Sequence, residues 1–406
     1  MIKSMKYALL GLLSLLILST FNLQAQSIKT PTFDTKNGIG IVSADSLFSL
    51  NFRFRTQLRA GYTTISENDL SADVIEARIR RLRLRFRGFA FNPKLTYYIQ
   101  LSFSRGDMDW VDNQNSIINS SPNIIRDAIV AYQVHPNFSL IFGQTKLPGN
   151  RQRVNSSSQL QFPDRSIVNA RFNIDRDFGL QFVYTNNISS IYYRLKGAIT
   201  TGEGRNSISS DAGLAYTRRM EILPLGEFTN KGDYFEGDLE REKKPKLSIG
   251  GGYHFNKSAL RTAGTIGNDL YEKRNISSAF VDFLMKFRGA AFAVEYLNRN
   301  ANDAITSNNV GDESIIYVGE GIMTQFSYIF ANDIEVAGRY GIISPYNSIS
   351  TKVLQTQEMG IGVTKYLKKH KVKLQGQLLY YSNTDLNLNR QISGNWNIMF
   401  QIEIGI

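Results

Sequence analysis

Between residues 49 and 62 apolar and polar positions alternate one for one. Leu50, Phe52, Phe54, Leu58, Ala60 and Tyr62 fall on one side, and Ser49, Asn51, Arg53, Arg55, Gln57 and Arg59 on the other. A period of two is that of a strand, whose successive side chains point to opposite faces. The next stretch is starker: Arg81, Arg83, Arg85 and Arg87 share one face and Leu82, Leu84 and Phe86 the other, an arrangement a helix would scatter around its axis. Such a strand suits a core facing water, lipid facing a wet lumen, or a basic surface laid on nucleic acid. The same alternation recurs at 95–103, 128–132, 138–142, 178–184, 191–199, 214–223, 247–255, 279–287, 290–297, 318–329, 334–340, 355–366, 372–381 and 396–406, which predicts about sixteen strands.

The spacing between these stretches alternates as well. Long connections fall near 63–75, 105–125, 145–176, 200–212, 256–275, 299–316, 343–354 and 383–392. Short ones fall at 91–93, 135–137, 186–189, 288–289, 330–333 and 367–370. Short turns on one side and long loops on the other are the habit of outer-membrane barrels. A soluble sandwich also uses alternating strands, but not ones of ten or more residues with a strict long and short rhythm. The final stretch keeps Trp396, Ile398, Phe400, Ile402, Ile404 and Ile406 on one face to the terminus. The expected fold is therefore all-β, a transmembrane antiparallel barrel spanning residues 48–406. One short-side connection breaks the rule: 224–245 is long and strongly charged.

Composition narrows the compartment. Aromatics reach 12% and Gly outnumbers Pro by 32 to 9, which favours strands, and the absence of cysteine excludes disulfides, zinc-thiolate sites and thiol nucleophiles. Lys3 and Lys6 precede a short apolar run from Ala8 to Leu18, and Leu23-Gln24-Ala25 follows as a small-residue cleavage site, the form of a secretory signal over residues 1–25. Residues 26–47 then read as a polar, glycine-punctuated lead-in on the periplasmic side. The formal charge of +12 becomes +10 once Lys3 and Lys6 are removed.

With lipid outside, the arginines must face inward, because one at the bilayer midplane costs about 2–4 kcal/mol. Arg53, Arg55 and Arg59 on the first strand and Arg81, Arg83, Arg85 and Arg87 on the second then form two cationic ladders side by side. Arg80 breaks the phase and is expected either above the membrane or at a bulge. The connection 145–176 carries Lys146, Arg151, Arg153, Arg165 and Arg171 together with apolar residues that need burial. It is expected to fold back into the lumen as a constriction whose basic residues, with the ladders, line a path for anions. Arg176 and Arg165 suit pinning that loop to Asp164, Asp175 or Asp177. Lys146, Arg151 and Arg153 suit conduction, although the same carboxylates could pair with all of them.

These residues resemble the phosphate-selective porin O and P family. The resemblance rests on the stretch from Arg80 to Gly88, the Phe91-Asn92-Pro93 turn, Arg126-Asp127-Ala128, Gly143-Gln144-Thr145-Lys146-Leu147-Pro148 and Phe162-Pro163-Asp164-Arg165-Ser166. It implies a homotrimer of sixteen-stranded barrels in the outer membrane, with an arginine ladder and a basic constriction. The chain departs from the family pattern at Gly149-Asn150 and ends in Ile406, so the resemblance implies a general anion preference, phosphate included, rather than strict phosphate selectivity.

Other functions fit poorly. His135, His254 and His370 lie far apart in sequence, no nucleotide-cradling loop is present, and no cofactor or metal is implied. Nucleic acid is not expected as a partner, since a lumenal arginine stripe is too confined for a duplex and lacks interleaved aromatics. The expected partners are small anions and outer-membrane lipid, and the expected function is passive anion diffusion. The alternative is a barrel with a blocked or non-selective pore and a structural or surface role.

Overall fold

The computed structural model describes residues 32–34, 38–104, 107, 124–207 and 213–406. The signal segment 1–25 lies outside them. Sixteen strands form the wall: β1 (Ser49–Thr64), β2 (Ala72–Ala90), β3 (Asn92–Ser102), β4 (Ile125–His135), β5 (Phe138–Lys146), β6 (Arg176–Ile188), β7 (Ile191–Thr200) and β8 (Ala215–Leu223). They continue with β9 (Lys246–Arg261), β10 (Asp269–Phe287), β11 (Ala290–Ala301), β12 (Gly319–Ile329), β13 (Ile334–Pro345), β14 (Gln355–Lys368), β15 (Val372–Asp385) and β16 (Arg390–Gly405). Each pairs antiparallel with the next, and β16 returns to β1 over the register Asn397↔Thr63 to Gly405↔Arg55, so the sheet closes without an edge. Beside this seam, Gly38–Val42 of the lead-in pairs with the start of β1, and Thr32–Asp34 pairs with it in turn.

Burial is inverted relative to a soluble protein. Arg81, Gln100, Lys286, Glu335, Lys373 and Glu403 are each 3% exposed or less, while Phe142, Val281, Phe326 and Ile361 are each more than half exposed. In β12 the alternation is unbroken from Gly319 to Ile329, with every second residue buried. Only a polar interior and an apolar exterior satisfy this pattern, which removes the soluble-sandwich alternative. No helix among the described residues is long and apolar enough to cross a membrane; the crossing elements are strands.

Two details depart from the alternation. Gln57 pairs with Arg81 but Leu58 with Ile79, so Arg80 is the extra residue of a bulge in β2. The hairpins at 262–268 and 386–389 are also shorter than the gaps in the apolar pattern. Their strands run on past the apolar belt, as in Asp269–Phe287, because above the membrane both faces are wet and backbone pairing no longer needs alternation.

Substituting Ile361, near the middle of β14 and outward-facing, with Arg is expected to cost about 2–4 kcal/mol of barrel stability. Urea unfolding in phospholipid vesicles reads this directly. An unchanged midpoint would mean that this face does not meet lipid.

Candidate functional site

The connection between β5 and β6 is anchored by its own apolar residues. Leu147, Leu160, Phe162, Val168 and Phe172 are at most 1% exposed. Val168 and Phe172 belong to α2 (Ile167–Phe172), whose N-cap Ser166 accepts from the Asn169 amide, and they pack with Ile316, Val318 and Ile343. Phe162 lies under Arg339, 4.2 Å from guanidinium carbon to ring centre, and against Gly362, where a Cβ would come within 2.9 Å of the ring. A preceding single turn, α1 (Arg151–Val154), has its last carbonyls capped by Lys146, whose Nζ donates to Val154 O and Asn155 O at 2.8 and 2.9 Å.

Polar contacts tie this segment to inward-facing side chains around the ring. Arg55 Nη2 of β1 donates to Ser157 Oγ at 2.8 Å. Ser248 of β9 and Asp282 of β10 accept from Arg151 at 2.7 and 2.6 Å, and Glu295 of β11 accepts from the Gln152 amide at 2.6 Å. Glu358 of β14 accepts from the Ile167 amide at 3.0 Å, and Lys373 of β15 donates to Leu160 O at 2.8 Å. Residues from β1 round to β15 therefore hold one segment between them.

Between the segment and the β2–β6 wall lies a cavity of about 740 Å³. Ten cationic side chains line it: Arg80, Arg81, Arg83 and Arg85 from β2, Lys146, Arg153 and Arg165 from or beside the segment, and Arg126, Arg176 and Arg205. The carboxylates are four, Asp107, Asp127, Asp164 and Asp175. Arg176 grips Asp127 with two bonds of 2.9 and 3.1 Å, and Arg153 pairs with Asp175. Arg83 pairs with Asp107, and Arg81 donates to Gln57 at 2.7 Å. Buried N–H groups make no hydrogen bond among the described residues: Nε and Nη1 of Arg80, Nε of Arg81 and Nε of Arg126, of which Arg80 Nη1 and Arg81 Nε each lie 3.9 Å from Asp107 Oδ1.

Along β2 the ladder becomes more exposed toward the short-turn end: Arg83 is buried, Arg85 half-buried and Arg87 exposed, with Arg53 half-buried opposite Arg85. The sequence-predicted residues thus divide. Arg81, Arg83, Arg85, Lys146, Arg153 and Arg165 meet at the cavity. Arg53 and Arg87 continue the ladder beyond it, and Arg55 and Arg59 lie beside it, with Arg59 paired to Asp164 and Arg55 to Glu403. Arg151 and Arg171 stand apart. All three nitrogens of the Arg151 guanidinium are occupied, by Asp282, Ser248 and the Asp233 carbonyl, and Arg171 stacks on Tyr317 at 4.6 Å. Arg165 donates to the carbonyls of Gln152 and Asn155 at 2.6 and 2.9 Å and so braces the segment's own backbone.

Arg80, Arg126 and Arg205 are cavity residues that the alternation does not reveal. The phase break at Arg80 allows a bulge or a place above the membrane, and only the register shows that it is a bulge, which turns Arg80 and Arg81 to the same side. Arg126 stands at the start of β4 and Arg205 in the connection after β7, and no local pattern joins them.

Among the described residues no group of His, Asp and Glu is arranged to hold a metal ion. His254 shares a hydrogen bond of 2.9 Å with Thr217, and His370 stacks against Phe235 and Tyr366.

Comparison with known proteins agrees with this picture. Residues 51–238 match the family model described as phosphate-selective porin O and P, a span from β1 through the segment and β8 into the connection that follows. No curated protein sequence matches the chain. Among solved structures, the anion-selective porin from Comamonas acidovorans aligns at 11% identity over 88% of this chain and 100% of its own, with a TM-score of 0.53. The outer membrane channel DcaP of Acinetobacter baumannii aligns at 12% over 89% of this chain and 99% of its own, also at 0.53. The Vibrio cholerae outer membrane protein OmpT, in its trimer form, aligns at 12% over 88% and 99%, at 0.50. At these identities the likeness is one of fold. The chain is a sixteen-stranded barrel that resembles non-enzymatic porins of the phosphate-selective family, and such a barrel is consistent with an outer-membrane location and contact with lipid.

Asp164 and Asp175 lie in the connection, outside the spanning strands. Burial pushes both carboxyls up. Arg80 and Arg59 beside Asp164, and Arg153 and Arg176 beside Asp175, outweigh it and hold both below the ordinary 3.8. A depressed folded-state value means that the pairing contributes fully above the unfolded value of about 3.9 and is lost as pH falls through the folded one. Single-channel conductance in potassium chloride is therefore expected to stay steady from about pH 8 to about pH 5 and to become noisy only below about pH 4, as the segment loosens. Onset of noise between pH 8 and 5 would show that other groups hold it.

Proposed function

We propose that the protein is an outer-membrane channel for passive diffusion of small anions, phosphate among them. The observation that carries this reading is the cavity, where ten cations face four carboxylates and four buried N–H groups make no hydrogen bond among the described residues. Low-dielectric walls of one sign focus the potential and raise the local anion concentration. In this reading the segment 147–175 narrows the lumen and brings Lys146, Arg153 and Arg165 opposite Arg81, Arg83 and Arg85. Arg53, Arg87, Arg55 and Arg59 extend the cationic path on either side. Arg151 and Arg171 act from outside it, by holding the segment in place.

Conduction needs sites strong enough to admit an ion and weak enough to release it. The cavity supplies several cations in succession rather than one closed cage. Each guanidinium is partly neutralised by a carboxylate or amide, which limits how tightly any one site can hold. Guanidinium forks also match oxyanions better than halides, since they present paired donors at fixed spacing. That favours phosphate over chloride in binding. A homotrimer and export through an N-terminal signal complete the reading, following the family resemblance.

Replacing Arg83 and Arg85 together by Gln is expected to lower the anion-to-cation permeability ratio several-fold, about 1 kcal/mol of lost electrostatic attraction, while trimer yield stays near wild type. Reversal potentials in a salt gradient measure the ratio, and phosphate added to chloride should depress chloride current in the wild type more than in the variant. A wild-type channel with a clear cation preference would overturn the reading. A barrel with no conductance would favour a structural or surface role instead.

A further inference from the structure

The connection between β8 and β9 does not hang free at the short-turn end. It runs back into the barrel as a strap. Thr229–Tyr234 forms a 3-10 turn, and Gly232, Asp233 and residues 236–238 are buried. The strap is clamped on its outer side by the short turns it passes. Gly289 donates its amide to Asp238 at 2.7 Å, Arg241 donates to Ile329 O and Phe330 O at 2.7 Å each, and Glu240 pairs with Lys369 at 2.9 Å. Its inner side is held by Lys286 of β10, whose Nζ donates to the carbonyls of Gly232 and Gly237 at 2.7 and 2.6 Å.

The strap also meets the segment 147–175 from below. Glu236 is the joint: its carboxylate accepts from Gln152 Nε2 at 3.0 Å and the Gln161 amide at 2.8 Å, and its own amide donates to Gln159 O at 3.1 Å. Together the two segments cover the wall from β10 to β15. That wall differs electrically from the cavity: its buried Asp282, Glu295, Glu335 and Glu358 stand among Lys286, Arg299, Arg339 and Lys373, four carboxylates to four cations, where the cavity has a cationic excess. Glu295 and Glu335 are 2% and 1% exposed and have no cation within salt-bridge distance among the described residues. Their donors are uncharged groups: the Gln152 amide for Glu295, and Gln161 Nε2 and the Tyr366 hydroxyl, each at 2.5 Å, for Glu335.

We propose that residues 224–245 form an internal strap that seals this charge-balanced side of the barrel, confines permeation to the arginine side, and so sharpens charge selectivity. The inference rests on the anion-channel reading and adds a selectivity element that lies outside the arginine path. Without the strap, the segment above loses its floor, water reaches Glu295 and Glu335, and a second route opens whose balanced charges exclude cations less than the arginine side does.

The chain lacks cysteine, so Ser327→Cys places a single thiol on the sealed wall, at a position that is 0% exposed and adjoins Gln161. Two backgrounds are compared with the full strap: one in which residues 229–242 are replaced by a short Gly-Ser linker, and Glu236→Ala, which keeps the strap's length and outer clamps. The Glu236→Ala chain keeps the test informative if the shortened chain does not insert. A charged methanethiosulfonate reagent is expected to modify Ser327→Cys at least about tenfold faster in either background, as local opening exposes the wall. In bilayers each background is expected to conduct more and to show a lower anion-to-cation ratio. Equal labelling rates and unchanged selectivity in inserted barrels would overturn the strap. A wild-type channel that prefers cations would sink the anion reading instead, and the labelling result would still decide whether the strap seals.

Discussion

The structure depends on one constraint: a charge that cannot face lipid must be accommodated inside. Sixteen strands satisfy their backbone groups by closing on themselves, and their period of two then sends every second side chain inward. Arg55 lies opposite Arg83, and Arg53 opposite Arg85, as directly cross-strand neighbours. Like charges placed so repel. The fold resolves this with acceptors carried on a different part of the chain. Asp164 comes within reach of Arg59, Arg80 and Arg81, and Ser157 lies between Arg55 and Arg83. The β5–β6 segment is thus the counter-charge of the ladder as well as an occupant of the barrel.

That compensation leaves a cationic excess on one side and a near balance of charge on the other. Toward β2–β6 a positive excess and unmet donors remain around a cavity. Toward β10–β15 the segment's amides and glutamines satisfy carboxylates directly. One segment therefore makes two unlike boundaries, and the difference comes from which of its groups point each way.

What was legible in the sequence follows from how local each signal is. Strand period and connection length are local, so the closed barrel, its strand number and the inward direction of Arg81 to Arg87 can be read directly. The bulge at Arg80 is half legible: a break in phase marks it, but the side chain's direction depends on the partner strand. Arg151 illustrates the rest. In sequence it is one more arginine in a basic loop, and its role is decided by Asp282 and Ser248, each roughly a hundred residues or more away. The long charged connection after β8 violates the loop-length rule for a similar reason, since its partners are turns between later strands.

The seam between β16 and β1 has a further consequence for the order of assembly. Glu403 accepts from Gln57 and Arg55 across a separation of nearly the whole chain. The segment that rests on these same residues also rests on β13, β14 and β15. Contacts that distant form late, because the loop between them must close first. Until the last hairpin arrives, the cationic wall has no opposite side and the segment has no complete seat. Closure of the wall and seating of the β5–β6 segment are consequently coupled, so an incomplete barrel has neither a closed sheet nor a full set of partners for that segment.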